Sequence, residues 1–88
     1  MTLQQLINKA NVHFGIDVTM PSSFSDDAFE PRCLTTYYAI TQMKAPYSEL
    51  AELMQSDRIE LRLMWLYAEG NLGVVNKRRE YKAFTNTL

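Results

Sequence analysis

Leu3, Leu6, Ile7, Ala10 and Phe14 recur at three- and four-residue intervals along the start of the chain. That is the spacing of one apolar helix face, and it predicts a helix over 2–14. Thr2 and Gln5 frame its start as a capping box, each side chain satisfying an amide that the first turn leaves free. Gly15 is the expected stop. The stretch "IDVTMPSSFSDDAFE" then reads as a loop, with Pro21, paired serines and paired aspartates as turn chemistry. Ile16, Val18 and Phe24 are its expected anchors in the core.

A second helix is predicted over 31–44, with Pro31 in its first turn and Glu30 near its cap. Leu34, Tyr37, Tyr38 and Thr41 share one side, and Cys33, Tyr37 and Ile40 an overlapping one. The β-branched and aromatic content would also suit a strand, but the length and Pro31 favour helix. "KAP" breaks the chain, and Ser48 is the expected cap of a third helix over 48–55, with Leu50, Ala51 and Met54 inward. A fourth helix follows over 57–69, capped by Asp57 with Glu60 three residues on. Ile59, Leu63, Leu66 and Tyr67 are its expected buried stripe, flanked by Leu61, Met64 and Ala68. A helix apolar over more than half its circumference is the expected centre of the domain. Gly70 and Gly73 should end it, and 74–84 reads either as a last short helix or as a basic arm. The pattern is that of a single all-α domain over 1–88, with four to five helices including a helix-turn-helix.

Composition narrows the function classes. The chain has 88 residues, 47% of them hydrophobic and 22% charged, which suits one globular domain. A net charge of −1 gives no overall pull toward nucleic acid or an anionic surface. The charge is uneven, however. Asp17, Asp26, Asp27 and Glu30 crowd the loop without a base, while Lys77, Arg78, Arg79 and Lys82 face Glu80 alone near the end. The single Cys33 makes no internal disulfide and is expected to be a small buried residue, in keeping with a reducing compartment. Neither a signal-peptide pattern nor a membrane span is visible, so a cytoplasmic protein is expected. His13 stands alone, Glu49 and Glu52 suit a wet surface, and there is no Gly-rich phosphate loop. No catalytic set, metal ligands, cofactor or small-molecule substrate is therefore expected.

Arg58, Arg62, Trp65 and Glu69 follow one another at spacings of four, three and four, and so line one face of the fourth helix. Two arginines near a helix start can meet guanine edges or phosphates in a major groove. Equally, they can be a solvated face paired with Asp57 or Glu69, with Trp65 part of the core. Arg32, Lys77, Arg78 and Arg79 are the candidate phosphate contacts, with Lys44 and Lys82 further bases. Met64 and Trp65 are the candidates for a protein interface or a homodimer.

The order of motifs resembles the C-terminal DNA-binding domain (domain IV) of the bacterial replication initiator DnaA. Phe14-Gly15-Ile16-Asp17-Val18 matches a helix end of Phe-Gly-Ile-Ser-Val; Pro31-Arg32 and Tyr37-Tyr38 partly match Ala-Arg-x-x-Ala-x-Tyr-Leu. Ser48-Glu49-Leu50-Ala51-Glu52-Leu53 stands where that family has Ser-x-x-Glu-Ile-Gly, and Gln55-Ser56-Asp57-Arg58-Ile59-Glu60-Leu61 where it has Gly-Arg-Asp-His-Thr-Thr-Val. The similarity covers about 6–70. It implies a helix-turn-helix in which Ser56, Asp57 and Arg58 lie at the DNA-contacting turn. Ile59 and Glu60 replace two threonines that contact DNA, and an acidic "SFSDDAFE" replaces a basic loop that serves the minor groove. The expected function is regulatory binding of double-stranded DNA, with Arg58 and Arg62 reading the groove. The alternative is a protein-interaction adaptor or inhibitor that keeps the fold without DNA. A short diverged single domain also suits a phage or other mobile element.

Overall fold

The computed structural model describes residues 1–23 and 25–88, and the expected anchor Phe24 lies outside them. The described residues form five helices and no strand: α1 (Leu3–Phe14), α2 (Phe29–Thr41), α3 (Tyr47–Leu53), α4 (Arg58–Asn71) and α5 (Val75–Thr85). A radius of gyration of 11.6 Å is close to the roughly 12 Å of a compact domain this long. No helix among the described residues is long and apolar enough to cross a membrane.

α1 forms as the sequence predicts. Thr2 Oγ1 accepts from Gln5 N at 3.1 Å, Gln5 Oε1 accepts from Thr2 N at 2.8 Å, and Gly15 closes the helix at φ 68°. Leu3, Leu6, Ile7 and Ala10 are buried, and Phe14 is half-buried. The acids of the following loop have local work. Asp17 Oδ1 accepts from Thr19 N and Oγ1, and Asp26 Oδ2 accepts from Ser23 N. The Thr19 bonds hold the Asp17 carboxyl below its ordinary value. Val18 anchors the loop, fully buried, its N–H donating to Asn11 Oδ1 at 2.8 Å.

α2, not α4, is the central helix. It packs against α1, α3 and α4 and buries Arg32, Cys33, Leu34, Thr35, Thr36 and Ala39. A run of small or polar residues occupies the centre because neighbours approach it from three sides. The buried Thr35 hydroxyl is satisfied within the helix, its Oγ1 donating to Pro31 O at 2.8 Å. Burial pushes the Cys33 thiol up to about 12, so it is an inert protonated core group. α2 ends at Thr41, short of the expected 44, and Lys44 takes the left-handed conformation at φ 55° on the way out.

α3 is capped by Pro46 rather than Ser48, and buries Leu50. α5 is a full helix, not an arm. Phe84 is fully buried, 5.0 Å from the Phe14 ring and 6.4 Å from Tyr38, and Tyr81 stands edge-on to Tyr37 at 5.5 Å. Lys77 Nζ donates to Glu30 on α2 at 2.9 Å. Gly70 does not stop α4, which runs on to Asn71 with Leu72 as its C-cap.

Candidate functional site

The connection between α3 and α4 is set by one buried arginine. Arg32 is 2% exposed; its Nη1 donates to Val18 O and Met20 O, both at 2.8 Å, and reaches Met54 O at 3.2 Å. Its Nη2 donates to Ser56 Oγ at 2.9 Å. The guanidinium thus ties α2, the loop after α1 and the turn before α4 together, and burial lowers its pKa. This corrects the expectation of a phosphate contact: Arg32 is spent inside, and Ser56 is half-buried as its acceptor rather than free for DNA. Gln55, at φ 52°, makes the tight corner, and its Nε2 donates to Thr19 O at 3.0 Å. Asp57 is the cap that was expected, accepting from Glu60 N at 2.8 Å.

Held at that end, α4 presents a different face from the expected one. Leu61 and Ala68 are fully buried and Met64 is 5% exposed, whereas Ile59 is 73%, Leu63 60% and Leu66 47% exposed. Of the stripe expected in the core, Ile59, Leu63 and Leu66 therefore point at solvent and only Tyr67 packs half-buried against the core, while the flanking residues fill it. Counting 100° per residue, Ile59, Leu63, Leu66 and Gly70 centre almost opposite Leu61, Met64 and Ala68. Met64 is thereby corrected from interface candidate to core. Trp65 is half-buried and stacked on Tyr37 at 5.9 Å, and among the described residues its Nε1 has no partner.

Arg58 and Arg62 are exposed beside the apolar stripe, and with Ile59 and Leu63 they line a shallow hollow of about 260 Å³. The Arg58 guanidinium lies 5.1 Å from the Tyr47 ring centre, and that of Arg62 5.9 Å from the Trp65 ring. Among the described residues neither they nor Glu69 makes an ion pair; the salt bridges join Lys77 to Glu30 and to Glu80. On the other flank Glu60 and Leu63 meet Arg32, Pro21 and Ser22 around a hollow of about 150 Å³.

The basic residues near the C-terminus do not join this face as one site. Lys77 is held by Glu30, while exposed Arg78 and Arg79 line a separate hollow of about 480 Å³ with Leu72, Val75, Tyr81 and Lys82. Periodicity missed Ile59, Leu63 and Leu66 as surface residues because α4 carries two apolar stripes and their spacing does not rank them.

Comparison with known proteins adds no relative, since no family model, curated protein or solved structure matches this chain.

Proposed function

We propose that the protein is an interaction module, an adaptor or inhibitor on a helix-turn-helix-like scaffold, that receives a partner helix on the outward face of α4. The exposure of Ile59, Leu63 and Leu66 at i, i+4 and i+7 carries this reading. Such a stripe is the usual anchor set for a helix laid in or against an apolar face. Burying an aliphatic side chain is worth about 1.5–3 kcal/mol, so three of them on one face are a large incentive to associate. They offer a DNA groove almost nothing, because base edges are read by hydrogen bonds and aliphatic groups meet only the thymine methyl. Arg58 and Arg62 beside the stripe select a partner whose apolar helix carries carboxylates. Because Arg32 and Asp57 fix the start of α4, little ordering is needed on binding.

The test is a photo-crosslinking benzophenone amino acid at position 63 in the producing cell, with the same group at exposed Val12 as control. An adduct to protein at 63 but not at 12 is the expected result. Duplex-DNA anisotropy over a salt series runs in parallel. A DNA adduct at 63, or salt-sensitive binding abolished by Arg58→Ala and Arg62→Ala, would replace this reading with the DNA-binding one.

A further inference from the structure

We infer that the helix received by α4 is the α4 of a second copy of this chain, laid antiparallel so that the two apolar stripes form a two-fold interface. The inference rests on the docking role of α4 and adds the identity of the partner. It starts from the charges along one flank of the stripe. Arg58 and Arg62 stand at its N-terminal end and Glu69 at its C-terminal end, all exposed and unpaired among the described residues.

A two-fold axis between antiparallel helices brings like flanks together and opposite ends together. The arginines of one copy then face the glutamate of the other, twice. A parallel two-fold would instead turn each arginine flank toward the partner's opposite flank, where Glu60 meets the arginines but Glu69 meets no base.

The apolar positions fit the same register. With Leu63 opposite the partner's Leu66, Ile59 falls opposite the partner's Gly70. Gly70 has no side chain, and a Cβ built there meets nothing within 4 Å, so the most exposed side chain of the stripe has open space to enter. At 1.5 Å rise per residue, the partner's Glu69 comes level between Arg58 and Arg62, about 3 Å along the axis from each. The other flank carries Glu60. In this register it stands about 13 Å along the axis from the partner's Glu60, farther than the Debye length of about 8–10 Å at ordinary salt. One register thus seats the stripe, pairs the free charges and separates the like ones.

A single crossed pair of helices lies at or below the low end of specific interfaces, which bury about 1,200–2,000 Å² in total. The dimer should accordingly be weak, with a dissociation constant on the order of tens of micromolar.

Sedimentation velocity from low to several hundred micromolar protein tests this. The wild type should pass from monomer to dimer, and Leu63→Glu should stay monomeric. The double variant Arg58→Glu/Arg62→Glu makes the flank wholly acidic, and Glu69→Lys makes it wholly basic. Each alone should lose self-association by at least about tenfold, as like charges meet across the axis. Mixed together they should form a one-to-one heterodimer, with far-UV circular dichroism showing both folded.

A wild type that stays monomeric, a Leu63→Glu variant that still dimerises, or variants that do not combine would each overturn the second copy. A monomeric wild type whose position-63 crosslink goes to a different protein would leave the docking role standing. An adduct to DNA would remove both.

Discussion

Arg32 shows how far a residue type can mislead about its use. An arginine near the start of a helix reads from the sequence as a phosphate contact, yet here four acceptors inside the protein share its guanidinium. Its removal would leave three carbonyls and a hydroxyl without their donor where water enters poorly. Arg32→Ala should therefore lower the unfolding free energy in urea by about 3 kcal/mol. Arg32→Lys should recover little, because a single ammonium cannot span acceptors arranged for a planar fork. A surface phosphate contact would give a change within about 0.5 kcal/mol, and that result would return Arg32 to the DNA face.

At the scale of the element, α4 holds two apolar stripes and the tertiary contacts decide between them. Leu61→Ala opens a cavity in a fully buried position and should cost about 2–5 kcal/mol. Ile59→Ser and Leu63→Glu should each change stability by less than about 0.5 kcal/mol, measured at low micromolar protein where association contributes nothing. If Leu63→Glu costs as much as Leu61→Ala, α4 is turned the other way and the docking face does not exist. The chain supplies the reason for the orientation. Asp57 caps the helix and the turn behind it is tied to Arg32, so the start of α4 is fixed and its rotation follows.

The whole molecule closes through α5. Lys77 on Glu30, Tyr81 on Tyr37 and Phe84 among Phe14 and Tyr38 hold it to the earlier helices. Two of these contacts titrate in alkali with the same sign. The hydrogen bond to Glu30 raises the Lys77 pKa above its ordinary 10.5, so its contribution is complete below that value and is lost as pH rises through the folded one. Burial pushes Tyr81 up to about 12 from 10.0, so the unfolded phenol ionises first and stability falls between those values. Equilibrium unfolding should show a decline in stability from pH 10 to 12, flattened in Lys77→Met/Tyr81→Phe. An unchanged slope in that variant would mean that folding shifts neither the Lys77 nor the Tyr81 titration.

Much of this was legible from the sequence, and for local reasons. The Thr2–Gln5 box, the Gly15 stop, the Asp57 cap and the α1 stripe each depend on neighbours within a turn or two, so spacing reveals them. The all-α class follows from the same signals. What only the tertiary structure decided was every choice between locally equal options: which α4 stripe goes inward, which helix is surrounded, whether 74–84 folds back, and whether Arg32 faces water. Those choices are set by residues distant in sequence, such as Val18, Met54 and Ser56 around Arg32. Periodicity along one helix carries no record of them, because a hydrophobic side chain lowers the free energy on whichever face another surface comes to cover.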